Sequence, residues 1–229
     1  MAFPLDNRFE KNTGIMTMAE MEKIAQTRVL LVGLGGLGGF VASSLARLGV
    51  KSLVLVDYDR FSPSNLNRQL YASVDTLGKS KVDVLVGELK KINPDIEITA
   101  FLDSVYNLDA SVYEKVGLII DAVDEIKTKL FLETISEKHH KPLLHGAVGG
   151  WYGQVGISLP GSSLLHDFYG SVSEGLEKTM GAPTFIPPIV ANLMVAEMIK
   201  FVNRRPGVLS NKIMMVDTLN NVEKIVFTK

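Results

Sequence analysis

The feature that most constrains this chain is a run of glycines. In residues 28–39 the apolar stretch "RVLLV" passes directly into "GLGGLGG", which puts Gly33, Gly35 and Gly38 in the spacing G-x-G-x-x-G. A chain that turns from a buried strand into a helix within so few residues needs bare backbone where side chains would collide, and glycine supplies it. The same turn leaves N–H groups and the positive end of a helix open to an anion. The next apolar run, "SLVLVD", ends in Asp57, roughly twenty residues past the glycines, where a carboxylate can accept hydrogen bonds from ribose hydroxyls. This fingerprint predicts a nucleotide-binding βαβ unit and leaves NAD and ATP both open.

The rest of the chain keeps the rhythm. Apolar residues at helical spacing follow the glycines and close at Gly49, a C-cap. A helix from Lys79 to Ile92 stops before Asn93-Pro94. Strands are expected over residues 96–102, 117–123 and 142–148, with a helix from Glu125 to His140. Near-continuous apolar strands alternating with helices mean a parallel sheet covered on both faces. Beyond Gly149, residues 152–159 read as a strand, and residues 212–227 as two strands about the turn dipeptide Asn220-Asn221. The fold class expected is therefore α/β, Rossmann-like, a mostly parallel sheet with helices on both faces, extended by C-terminal antiparallel strands. A loop-rich section runs from Pro160 to Pro188. Behind its two prolines starts a helix apolar on most sides, suited to the core or to a subunit interface. We read residues 1–229 as one domain: an N-terminal helical segment (1–26), a nucleotide-binding half (28–148) and a C-terminal extension (149–229).

Charge and cysteine content exclude several classes. With 24 basic against 25 acidic residues, no overall field draws the chain to nucleic acid or to an anionic membrane. Zero cysteines exclude disulfides, thiolate zinc sites and thiol nucleophiles. The first residues lack the apolar core of a secretory signal. The most apolar stretch, Phe185 to Val202, is interrupted by Pro187, Pro188, Asn192, Glu197 and Lys200, so no membrane span is expected and the compartment expected is the cytoplasm.

Residues 62–84 separate the two nucleotides. A hydride-transfer site needs a flat nicotinamide pocket, whereas phosphate chemistry needs fixed positive charge on phosphate oxygens. "SPSNLNRQ" followed by "GKSK" offers that charge in Arg68 and Lys81, with Asn65 and Gln69 as neutral donors. Read without a ligand, Arg68 would be a surface ion pair and Lys81 a solvated helix face. In "LIIDAVDE", Asp124 falls at the carboxyl edge of the sheet, where it could ligate Mg²⁺ or cap the following helix.

Together these motifs resemble the ThiF/MoeB/HesA family, bacterial relatives of ubiquitin-activating enzymes. The resemblance extends over nearly the whole chain: "RFEKN", "VLLVGLGGLGG", "LVLVDYDRFSPSNLNRQ", "GKSKVD", "INPDIEI", "DAVDE", Pro160-Gly161, "PPIVANLMVAEMIKFV" and "KIMMVD". It implies adenylylation by ATP of the C-terminal carboxylate of a small ubiquitin-like sulfur-carrier protein ending in Gly-Gly, with pyrophosphate released, and a homodimeric enzyme. Carried onto this chain, it places Gly33, Gly35, Gly36 and Gly38 at the nucleotide and Asp57 on ribose. Ser64, Asn65, Arg68, Gln69 and Lys81 grip the phosphates, Asp124 binds Mg²⁺, and Arg68, Lys81 and Asp124 are the catalytic set. Attack by a carboxylate on the α-phosphorus joins two anions, so such a site must neutralise charge before the bond can form.

The departures from the family pattern matter as much. An N-terminal arginine often reaches the partner subunit's phosphates; here Lys11 stands in its place, and Arg8 is the second basic candidate. Relatives that read "DN" are matched by Asp124-Glu125. Many have two CxxC pairs that bind zinc; with no cysteine, neither structural zinc nor a thioester is expected, and His139, His140, His145 and His166 are too scattered to replace a zinc site. Trp151 could anchor a partner's tail or simply pack, with Gly149, Gly150 and Gly153 leaving room beside it. The alternatives are adenylylation of a non-protein carboxylate or a tRNA, a non-catalytic partner subunit, and a nicotinamide oxidoreductase. Near-neutral charge makes nucleic acid the weaker partner.

Overall fold

The apolar run ahead of the glycines forms strand β1 (Arg28–Val32), flanked on one side by β2 (Ser52–Val56) and β3 (Glu97–Phe101) and on the other by β4 (Leu118–Asp121) and β5 (Leu143–Gly149). All five are parallel. Three antiparallel strands, β6 (Tyr152–Ser158), β7 (Lys212–Asp217) and β8 (Val222–Thr228), extend the sheet beyond β5. The spatial order is β3-β2-β1-β4-β5-β6-β7-β8. Strands β2 and β3 are added on one side of β1 and β4 and β5 on the other, and this switch opens a crevice above the carboxyl ends of β1 and β4. The computed structural model describes residues 7–170, 172, 175 and 180–229; part of the loop-rich section and the first six residues of the N-terminal segment lie outside them.

Helices cover both faces, as the apolar strands require. On one face α1 (Met18–Gln26), α2 (Gly36–Leu48), α3 (Lys81–Ile92) and α7 (Ile186–Val202) bury Ile24, Val41, Leu45, Leu85, Leu89, Met194 and Met198. On the other, α4 (Ala110–Glu114), α5 (Ile126–Lys138) and α6 (Leu164–Tyr169) bury Tyr113, Leu132, Ile135, Leu164 and Leu165. Gly49 ends α2 with φ of 88°, a left-handed conformation that side chains resist. Asn221 (φ 56°) turns β7 into β8 as the dipeptide predicts.

Several details differ from the sequence reading. Helix α3 starts at Lys81 rather than Lys79, because the Ser80 hydroxyl caps it by accepting the Asp83 N–H at 3.2 Å. The helix with two prolines starts at Ile186, so Pro187 and Pro188 occupy its first turn, where a missing N–H costs nothing. The section from Pro160 onward contains α6 and is not all loop.

Helix α7 is covered by its own chain: Ile186, Val190, Met194 and Met198 are fully buried against α2 and the β5–β6 pair. A Cβ on Gly146 would fall 2.2 Å from the Met194 sulfur, and one on Gly153 2.1 Å from Val190 Cγ2. The glycine of "WYGQVG" therefore admits the helix, not an extended tail. Gly150 is likewise filled, by Met180 at 3.1 Å. Trp151 is partly exposed and packs on Phe185 with ring centroids 4.7 Å apart.

Candidate active site

The local geometry of the glycine turn follows from three close approaches. Gly33 has φ of +86°, and a Cβ there would meet the Ala122 carbonyl oxygen at 2.7 Å. A Cβ on Gly38 would stand 1.8 Å from the Gly33 carbonyl oxygen, so α2 can start this close to β1 only without one. Gly35 and Gly36 face the other way, toward the Gln69 amide (3.4 Å) and the Arg68 and Pro187 side chains (3.7 and 3.5 Å).

Above the turn lies a cavity of about 650 Å³, a size that suits a nucleotide-scale ligand. Gly33, Gly35, Gly36, Asp57, Arg68, Gln69, Lys81 and Asp124 all line it. Residues from Gly33 to Asp124, far apart in sequence, thus converge on the crevice that the strand order creates. Gly38 shapes the turn from behind. Ser64 and Asn65 do not line the cavity: Asn65 Oδ1 accepts the Ser62 N–H at 3.0 Å, and its carbonyl accepts the N–H groups of Arg68 and Gln69. They build the turn that leads into Arg68 and Gln69.

Asp57 directly follows β2 and is buried, its Oδ2 accepting the Leu34 N–H at 2.6 Å and its Oδ1 the Asp59 N–H at 2.7 Å. Burial raises its pKa, and the Lys81 charge and those two N–H bonds pull back against that. Lys81 is buried, not on a solvated helix face, and its Nζ donates to Asp59 Oδ2 at 2.8 Å. Arg68 donates to the Ser64 carbonyl at 2.9 Å and to Asn67 Oδ1 at 3.1 Å, which aims it along the cavity wall. Gln69 is buried beside Gly35, and its Oε1 has no partner among the described residues. A buried amide oxygen in that state costs about 1 to 3 kcal/mol unless something meets it, and a nucleotide on the glycine turn would bring hydroxyl and water donors to it.

Asp124 stands exposed on the rim, and the residue in the N-cap position of α5 is Glu125, without a side-chain cap bond. Among the described residues no group of three or more His, Cys, Asp or Glu is placed to hold a metal. A single carboxylate such as Asp124 fits Mg²⁺ only if phosphate oxygens complete the octahedron, which is how that ion is usually held.

Arg8 and Lys11 lie away from this cavity. Arg8 pairs with Asp95 and reaches Asn93 Oδ1, tying the N-terminal segment to the end of α3. Its in-chain target removes one reason for assigning it to a neighbouring subunit.

Other lining residues carried no readable signal. Tyr58, Asp59, Tyr106, Lys129, Gln154 and Tyr169 all face the cavity. Lys129 is 2% exposed and donates to both Asp121 oxygens (3.3 and 3.2 Å) and to the carbonyls of Val123 (2.6 Å) and Gly146 (2.9 Å). In "DEIKTK" it cannot be told from Lys127 by composition, and only helical phase to the buried Leu132 would have separated them. Carboxylates around Tyr58 act with burial to raise its phenol pKa.

Comparison with known proteins follows the same lines. The ThiF family model matches residues 9–227. The molybdopterin-synthase adenylyltransferase of Escherichia coli is 33% identical over 207 residues, 86% of this chain and 82% of that protein. The tRNA threonylcarbamoyladenosine dehydratase of Escherichia coli is 32% identical over 137 residues, 59% of this chain and 50% of its own length. Among solved structures, E. coli MccB with ATP superposes with a TM-score of 0.78 at 20% identity, over 96% of this chain and 71% of that one. No helix among the described residues is long and apolar enough to cross a membrane.

Proposed function

We propose, for a chain that belongs to the ThiF family, ATP-dependent adenylylation of a carboxylate with release of pyrophosphate. The observation that carries this reading is the convergence of the glycine turn, Arg68, Gln69 and Lys81 on one cavity that Asp57 and Asp124 also line. The glycine N–H groups and the start of α2 receive phosphate oxygens, and Asp57 takes ribose hydroxyls with the lone pairs that Leu34 and Asp59 leave open. Arg68 and Lys81 lower the repulsion between the triphosphate and the incoming carboxylate, then stabilise departing pyrophosphate. Mg²⁺ held by Asp124 would supply further positive charge on the phosphates.

The acceptor in this reading is the C-terminal carboxylate of a small ubiquitin-like carrier ending in Gly-Gly. Its support is the molybdopterin-synthase adenylyltransferase of Escherichia coli, a relative matched over most of both chains. With no cysteine in these 229 residues, the product is a bound acyl-adenylate that a nucleophile from another molecule attacks. Two chains assemble in the same reading, and its support is that Leu66, Leu70 and Val74, near Arg68 and Gln69 in sequence, are exposed, whereas α7 is buried.

Labelled pyrophosphate should exchange into ATP when ATP, Mg²⁺ and such a carrier are supplied. Arg68→Ala and Asp124→Ala should each slow exchange by about a hundredfold or more; unchanged exchange in both removes their assigned roles. A second reading is favoured by tRNA-modifying relatives at 32–34% identity. It predicts exchange with tRNA and none with a carrier.

A further inference from the structure

Beneath the cavity, five side chains from five elements form one hydrogen-bonded line. Lys129 grips Asp121; Asp121 Oδ2 lies 2.7 Å from His145 Nδ1; His145 Nε2 lies 3.1 Å from the Tyr169 hydroxyl; and that hydroxyl lies 3.0 Å from the Gln154 side-chain amide. Asp121 and His145 are fully buried and are register partners on β4 and β5. Gln154, on β6, is partly exposed, and with Tyr169 it is a wall of the cavity.

The protons on this line can be assigned. Asp121 carries the charge that holds Lys129, so it only accepts, and His145 Nδ1 must donate. The Asp121–Lys129 pair already cancels within the buried cluster. A charged His145 would leave a second cation there with no counter-charge, so the ring is neutral and its Nε2 carries a lone pair. Burial and the Lys129 charge both act to lower its pKa. Tyr169 therefore gives its single proton to His145, and its oxygen can only accept from Gln154. The terminal atom placed against the hydroxyl is Oε1, but amide oxygen and nitrogen fill the same space, and only the network decides between them. The proton order turns the amide over, with NH₂ on Tyr169 and the carbonyl oxygen facing the cavity.

We propose that Gln154, held by this line with its carbonyl oxygen toward the cavity, selects carboxylates whose α-nitrogen is acylated and bears an N–H, as at the C-terminus of a peptide. The inference rests on the adenylylation reading and adds the residue that reads the acceptor's last N–H. Position supports it: Asp57 follows β2 on one side of the glycine turn, while Gln154 lies on β6 beyond β5 on the other side. A nucleotide anchored by its ribose at Asp57 leaves the Gln154 end for the second substrate. His145 and Tyr169 are positioning residues, acting through Gln154.

Two measurements on the full chain test this. Nitrogen-15 spectra of the histidine rings, assigned by substituting His139, His140 and His166 in turn, should show His145 at neutral pH with one proton, on Nδ1. A ring protonated on both nitrogens would overturn the proposed order. Binding of N-acetylglycylglycine and of its ester analogue, in which oxygen replaces the last N–H, is then compared with a non-hydrolysable ATP analogue present. The amide should bind about tenfold more tightly, as one ordinary hydrogen bond predicts. Tyr169→Phe and Gln154→Met should each reduce that ratio toward one. Equal affinities in the unaltered protein, a ratio that survives both substitutions, or no binding of either probe would overturn the selection. If ATP still binds and pyrophosphate exchange proceeds in that case, the adenylylation reading stands without it.

Discussion

At Gly38 the argument for the site reduces to one missing methyl group. Alanine there would place carbon 1.8 Å from the Gly33 carbonyl oxygen, against backbone that cannot swing aside. We expect Gly38→Ala to cost about 3 kcal/mol or more, by displacing α2 from β1, and to abolish ATP binding. Gly87 is the internal control, since it is exposed in α3 and a Cβ there meets nothing within 4 Å. Gly87→Ala should raise stability by about 0.5 to 1 kcal/mol through helix propensity. Thermal or denaturant unfolding of both variants checks the pair. A stabilised Gly38→Ala protein would mean that the turn is not packed as described.

Among the elements, α6 depends most on a single charge. Glu133, buried on α5, accepts the N–H groups of Leu165 and His166 at 2.8 Å each, the Ser158 hydroxyl at 2.5 Å and the His166 ring at 2.6 Å. Burial by itself would raise its pKa, but these donors outweigh that and hold it below the ordinary glutamate value. A depressed folded pKa contributes stability above the unfolded value, and that contribution is lost as pH falls through the folded one. Glu133→Gln should therefore cost about 2 kcal/mol near neutral pH and flatten the loss of stability below the usual glutamate range. Unfolding followed across the acid limb measures both effects, and an unchanged acid slope would contradict the assignment. The strand and helix order, the glycine turn and Asp57 were legible in sequence, because period and glycine spacing are local signals. The role of Asn65 in the turn, the burial of Lys81 against Asp59 and the line from Lys129 to Gln154 were not. Each depends on partners from other elements that only the folded sheet and its helices bring together, or on a loop whose turn is closed by its own side chains.

Over the whole molecule the charge balance of the cavity is the governing quantity. Asp57, Asp59, Asp103, Asp124 and Glu125 line it against Arg68, Lys81 and Lys129, and two of those cations already face carboxylates, Asp59 and Asp121. A triphosphate entering such a rim needs additional positive charge, so ATP binding should depend on Mg²⁺. With ligand at one hundred times its dissociation constant, stabilisation of about 2.7 kcal/mol is expected; EDTA should remove most of it, and NAD should give none. Retention of the full ATP shift in EDTA would contradict this charge argument. Sedimentation at micromolar concentration should give the mass of two chains, and a mass equal to one would remove the assembly from the proposal. The most direct test of the nucleotide site itself is a crystal structure with Mg²⁺ and a non-hydrolysable ATP analogue. The account predicts phosphates on the glycine turn within hydrogen-bond reach of Arg68 and Lys81, and ribose on Asp57. Nucleotide bound elsewhere, or phosphates out of reach of both cations, would contradict it.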